Sequence, residues 1–480
     1  MFLSLSRNTP KYYIKVLIMV GIMALFRLLP PPSGLSADGL AMVGVFFGVL
    51  FGWLFIDMVW PSFIGLAALG LTLPDPMDAV LAQTFGNSTF LLLLFFCMAA
   101  SIINSAGVAE YLARRIMNAP FVDGRPYLML VMLCLAMCAL ACMLTMTAAV
   151  LVAFPLIKEV CRQYGYKPGS ILPMVLLMAM LYVADIAYLI LPFKSMPAIV
   201  FGVYAQMSGG DSIELLPYMA VMLVMFLLSM GFILLLFRVV LRRDMTLMRS
   251  TRGHDDAGDS LSPYQKTVLW SFLGLIVLLL LPGLLPKNWP LAQLLNDLGT
   301  NGMLLVYMGL YLLLNFKEGI PLRDVMQTSV AWPALFLVAA VLRMTGAFSS
   351  AGVTTFIANL CGPMLQNVNG FFLVFFIIFC AATFTQLANN NASAAIFAPL
   401  AYTLAVANGS VNPQALLSCV ILACACGITT PTSATTSAIL YGDTLWVSQK
   451  KLFRFSLWFW LFNVLSSVFI AYPLLALVLS

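Results

Sequence analysis

The sequence predicts an all-α polytopic membrane protein made of two inverted-topology repeats. Three observations predict it. Of 480 residues, 62% are apolar and only 9% carry charge, against about 25% charged in soluble domains. Apolar runs long enough to cross a bilayer recur along the whole chain. The two halves share short motifs in the same order.

Too few polar residues exist to build a water-facing surface, so lipid is the expected solvent. The predicted spans are 13–29, 39–55, 59–73, 90–113, 170–204, 216–241, 267–285, 303–314, 332–357, 413–440 and 453–479, about 11 in all. Residues 1–15 lack a cleavable signal pattern, so the first apolar run is expected to remain as a helix. Two further blocks, 127–160 and 371–404, are too long for one span and too short for two. Each is interrupted near its middle and is read as a re-entrant hairpin.

Residues 242–262 form the one polar break, with Arg242, Arg243, Asp244, Arg249, Arg252, Asp255, Asp256 and Asp259. Together with Lys158, Arg162, Lys167, Lys450 and Lys451, this segment is expected on the cytoplasmic side. The net charge of +6 follows the ends of apolar runs, so no nucleic-acid partner is expected. The only histidine, His254, lies in the linker, and most of the ten cysteines lie in apolar runs. Metal centres, disulfide scaffolds and a nucleophile–base enzyme site are therefore not expected.

The repeat is carried by three pairs. Ser105-Ala106-Gly107-Val108 matches Ser350-Ala351-Gly352-Val353. Ala148-Ala149 before Pro155 matches Ala394-Ala395 before Pro399. Ala198-Ile199 with Gly202 matches Ala438-Ile439 with Gly442. The expected organisation is 1–80 scaffold, 81–241 first repeat, 242–262 linker, 263–330 scaffold and 331–480 second repeat. The first repeat holds hairpin 127–160 and broken helix 170–204; the second holds hairpin 371–404 and broken helix 413–443. Inverted repeats place a substrate site at the midplane, between broken helices.

The chemistry concentrates in two blocks. Asn389-Asn390-Asn391 puts three amides inside an apolar stretch, which is costly in lipid unless they are paired or line a cavity. Amides offer oxygens to a cation and N–H groups to an anion; a polar helix–helix contact is the plainer reading. Gly427 to Ser437 combines a glycine, Pro431 and a run of hydroxyls, marking a span broken near its middle. Here the plainer reading is a proline kink satisfied by threonines. Thr432 and Ser433 are candidate substrate contacts from this block, and Thr145 and Thr147 are candidates from the first hairpin tip.

Between Lys167 and Asp211 the only charges are Asp185 and Lys194, both inside one apolar run. Ionisable groups at that depth are functional candidates. Lys194 is read as a substrate-binding and coupling residue whose ammonium supplies a fixed positive charge. Asp185 is read as its partner or as a proton carrier. Snorkelling of Lys194 to the interface is the competing reading. No charge occurs from Met344 to Gly442, so a buried dianion there needs a bound cation, Lys194 or Arg343.

The order of Asn-rich hairpin tip, Ala-Ala before a proline, and a broken span with Thr430-Pro431 resembles the divalent anion/sodium symporter family. The resemblance runs from about 90 to 479 and is strongest in the second half. It implies secondary transport of a di- or tricarboxylate by alternating access, and a homodimer. It also implies a sodium site at Asn390, Gly427 and Thr430. Only the central Asn390 matches the family's Ser-Asn-Thr triplet. The first tip, Met143-Leu144-Thr145-Met146-Thr147, holds no Asn, so two-site sodium symport is not expected. Coupling is left to anion exchange, protons or one sodium. A cation/proton antiporter or channel is the alternative. The expected location is the bacterial inner membrane, with multiple passes and a cytoplasmic N-terminus.

Overall fold

The structure is a computed structural model. It describes residues 10–57, 59–117, 122, 124–242, 244–249, 260–286, 288–315, 330, 332–365, 368–431 and 433–479. Regular structure among the described residues is helical throughout. Most of linker 242–262, including His254, lies outside them, as does Thr432.

The first half runs α1 (Pro10–Leu28), α2 (Ala37–Phe55), α3 (Val59–Thr72), α4 (Met77–Phe85), α5 (Ser88–Ser105) and α6 (Val108–Met117). It continues with α7 (Pro126–Met143), α8 (Met146–Gln163), α9 (Ile171–Tyr188), α10 (Ser195–Met207) and α11 (Leu215–Val239). The second half runs α12 (Pro263–Leu284), α13 (Pro290–Asn315), α14 (Trp332–Ser350), α15 (Val353–Leu365), α16 (Gly370–Phe384) and α17 (Asn390–Asn408). It ends with α18 (Pro413–Ala425), α19 (Thr435–Gly442), α20 (Gln449–Ser466) and α21 (Tyr472–Val478). Six described helical stretches are long and apolar enough to cross a membrane. A seventh arises if α4 and α5, bent by 48°, count as one. That bend is capped by Asn87, whose Oδ1 accepts the Thr89 N–H at 2.9 Å.

Block 127–160 folds as α7 and α8 around a turn at Leu144 and Thr145, and block 371–404 as α16 and α17 around 385–389. Span 170–204 is interrupted between Tyr188 and Ser195, and span 413–440 between Ala425 and Thr435. The matched glycines occupy equivalent turns. Gly107 (φ +67°) joins α5 to α6, and Gly352 (φ +71°) joins α14 to α15. Both backbones are left-handed, the conformation glycine adopts without a Cβ clash. Pro155 and Pro399 lie inside α8 and α17, at matching places along the second arm of each hairpin.

α9 sits at the centre, buried from Leu172 to Ala187, as expected of a helix apolar on every face. α7, α8, α11 and α20 surround it. The halves then cross over. α10 of the first half packs on α14 and α17 of the second, while α19 of the second packs on α8 and α9 of the first. Lys158 of α8 pairs with Asp443, which caps α19. The Arg162 guanidinium lies 5.4 Å from the centre of the Trp446 ring. Tyr166, in the turn after α8, donates to the Asp244 carbonyl at 2.5 Å and anchors the start of the linker. Burial pushes the Tyr166 hydroxyl pKa up.

Candidate functional site

The two turns and the two helix interruptions meet at one place. They line a half-open cavity of about 130 Å³, below the few hundred Å³ of drug-sized pockets and suited to a small metabolite. Met146 and Thr147 line it from the first turn of α8, and Ser195 and Met196 from that of α10. Asn389, Asn390 and Asn391 line it from the start of α17, and Ala434, Thr435 and Thr436 from that of α19. Asp185, Tyr188 and Leu189 at the end of α9 and Ala425 at the end of α18 complete the wall.

Four helix N-termini therefore converge on the cavity. Each helix dipole places roughly half a positive charge there, and N-terminal N–H groups bind anions. Two of these ends are capped by their own side chains. Thr145 Oγ1 accepts the Ala148 N–H at 3.4 Å, and Asn389 Oδ1 accepts the Asn391 N–H at 2.9 Å. α19 carries no side-chain cap, which leaves its first N–H groups to serve a ligand, whereas the first N–H of α10, at Ser195, donates to Tyr188 Oη at 3.4 Å. A polar chain crosses between the halves: Tyr188 Oη lies 3.1 Å from Ser195 Oγ, which donates to Asn391 Oδ1 at 3.4 Å.

The sequence-predicted residues divide into three groups. Asn389, Asn390, Asn391, Thr147 and Asp185 share the cavity wall. Thr145 caps α8, and Ser433 is fully buried, donating to the Gly427 and Thr430 carbonyls at 2.6 and 2.7 Å. Lys194 stands behind the wall, 3% exposed. Its ammonium donates to the Leu144 carbonyl at 2.8 Å. It also lies 5.0 Å from the Tyr188 ring centre and 5.7 Å from that of Phe96, within cation–π range. The chain does break beside Pro192, yet the described ion pairs do not join Lys194 to Asp185. The ammonium is drawn instead to the C-terminal carbonyl end of α7, where the helix dipole favours a cation. Arg343 does not serve the cavity either: it binds Asp75 at 3.1 Å, in the turn after α3.

Asn390 and Gly427 of the expected sodium site are adjacent. A Cβ on Gly427 would run into Asn390 Oδ1, so this approach requires glycine. Asn390 Oδ1 accepts from Thr385 Oγ1 at 2.9 Å, and Asn390 Nδ2 donates to the Ala425 carbonyl at 3.0 Å. The Gly427 carbonyl accepts from Ser433 and Ser437. Thr430 turns to the Gln386 carbonyl. The Asn390 and Gly427 oxygens are thus engaged by neighbouring hydroxyls, and the Thr430 hydroxyl by a backbone carbonyl.

Sequence reasoning did not single out Tyr188, Ser195, Met146 or Met196, and it reached Thr435 and Thr436 only as members of the 427–437 hydroxyl run. The signal was positional: each is the last residue before or one of the first residues after an interruption.

Such a bundle, with broken helices aimed at a polar cavity, defines a multi-pass helical membrane transporter. The chain belongs to the citrate transporter family, whose model matches residues 42–423. It is similar to the sodium-dependent dicarboxylate transporter SdcS of Staphylococcus saprophyticus, 25% identical over 100% of this chain and 95% of that one. A shorter match, also 25% identical, covers 24% of this chain and 18% of the uncharacterized transporter sll0640 of Synechocystis. Among solved structures, the YdaH transporter of Alcanivorax borkumensis shares the fold, with a TM-score of 0.59 and 15% identity. That similarity covers 97% of this chain and 98% of that one. The chain is a transporter of the citrate and dicarboxylate type, not an enzyme.

Proposed function

We propose that this protein moves a di- or tricarboxylate by alternating access, binding it in the cavity between the two turns. The convergence of four helix N-termini, that of α19 uncapped, carries this reading. Asn389, Asn390, Asn391, Thr147, Ser195, Thr435 and Thr436 supply neutral donors to carboxylate oxygens. Lys194 supplies a fixed positive charge beside the first turn, tied to a backbone carbonyl as a bound cation would be. A second sodium is then unnecessary. Coupling falls to anion exchange, to protons with Asp185 as carrier, or to one sodium at Asn390, Gly427 and Thr430. The full-length similarity to a sodium-dependent carrier supports the last.

The proposed topology has about 11 spans and two re-entrant hairpins, in inverted repeats 81–241 and 331–480. The protein is proposed to act as a homodimer in a bacterial inner membrane, N-terminus in the cytoplasm. Counter-flow in proteoliposomes preloaded with a carboxylate panel, with and without sodium, tests the function. Saturable carboxylate exchange supports it. Cation or proton flux without any carboxylate flux replaces it with the antiporter reading.

A further inference from the structure

Gln386, in the second turn, is 7% exposed and uses its amide at two points of the α18–α19 interruption. Its Nε2 donates to the Cys426 carbonyl at 2.5 Å and to the Ala382 carbonyl at 2.9 Å. Its Oε1 accepts the Thr429 N–H at 2.9 Å and the Thr429 hydroxyl. Its own carbonyl accepts from Thr430 Oγ1. A buried amide with donors and acceptor all engaged is costly to replace, since each lost partner leaves an unpaired polar group.

The arrangement solves a specific problem. A helix that ends inside a membrane protein leaves its last carbonyls without intrahelical partners. At the end of α18 the second turn supplies those partners. Thr385 Oγ1 lies 2.8 Å from the Cys424 carbonyl, Asn390 caps Ala425, and Gln386 caps Cys426. Gln386 alone among these three also grips the gap further along, at Thr429, whose carbonyl accepts from Tyr441 of α19 at 2.7 Å. It therefore fixes the path from Cys426 to Thr429, and with it the aim of the uncapped α19 N-terminus at the cavity.

We propose that Gln386 is a positioning residue for substrate binding: it joins the second turn to the α18–α19 interruption, so that Asn389–Asn391 and the α19 N-terminus form one rigid half of the site. The inference rests on the carboxylate reading of the cavity. Full-length wild type, Gln386→Leu and Gln386→Glu are compared in proteoliposomes with labelled citrate and succinate. Gln386→Leu keeps the volume and loses the bonds; KM rises about ten-fold or more, with Vmax changed less than about three-fold. Gln386→Glu distinguishes positioning from packing. Ionised, it cannot donate to Cys426; protonated, it offers one O–H to Cys426 and one oxygen to Thr429. Its KM relative to wild type therefore falls as pH is lowered.

A KM for Gln386→Leu within about two-fold of wild type, or a Gln386→Glu ratio constant with pH, overturns the proposal. Should Gln386→Leu fail to insert, the Gln386→Glu profile decides. Amide exchange of the peptide spanning 426–434 gives a flux-independent readout, expected to quicken about ten-fold in Gln386→Leu. Unchanged exchange overturns the proposal even where citrate and succinate are not carried, an outcome that would sink the function itself.

Discussion

The two turns at the centre of the molecule perform the same architectural task with different chemistry. The first, Leu144 and Thr145, is held by a charge: the Lys194 ammonium reaches it from the neighbouring interruption. The second, 385–389, is held by neutral groups, with Thr385, Gln386 and Asn390 bonded to backbone carbonyls around the end of α18. A single ion does in one half what a network does in the other. The charged tether concentrates its stabilisation in one contact, while the network spreads it over several.

That contrast predicts where the protein is brittle. Lys194→Met should have the largest effect. It removes a charge-assisted bond of about 1.5–3 kcal/mol, and counter-flow should fall about 10- to 100-fold while the protein still inserts. Near-normal flux would show that the first turn needs no tether. Gly427→Ala comes next. Forcing a methyl into Asn390 costs about 1–3 kcal/mol, and flux should drop about ten-fold or more, most visibly in any sodium-stimulated component.

Asn390→Ala should raise KM about five- to ten-fold, because the remaining hydroxyls still hold the turn. A loss as large as that of Lys194→Met would end the distinction between the two halves. Asp185→Asn removes the one acidic group among the described lining residues and should lower KM for an anion about three-fold, ~0.7 kcal/mol. Asp75→Asn, which breaks the pair of half-exposed Asp75 with largely buried Arg343, should leave KM unchanged. Its thermal-unfolding cost is about 1–3 kcal/mol, because the largely buried guanidinium loses its carboxylate.

Most of this architecture was legible in the sequence. Asn389-Asn390-Asn391 and Thr430-Pro431 stand out because polar, helix-breaking residues inside apolar runs are expensive, and the expense localises the turns and interruptions. The direction of Lys194 was not legible. Its proximity to Pro192 placed it beside an interruption, but its acceptor, Leu144, lies in another helix pair. Tyr188 escaped for a related reason, and Thr435 and Thr436 stood out only as members of a hydroxyl run. A tyrosine or threonine at a helix end is ordinary until the fold brings four such ends together. Arg343 was read as a possible counter-charge because the chain beyond it is uncharged, whereas its partner Asp75 is supplied by a remote turn.

The crossing of α10 onto α17 and of α19 onto α8 has a consequence for biogenesis. Neither half encloses the cavity alone, since each lends its short helix to the other's wall. A ribosome that has released only the first half leaves Asp185 in the membrane without the walls that later surround it, and the α10 N-terminus without its neighbours. The carrier comes into being late, when the last quarter of the chain arrives and the two short helices trade places.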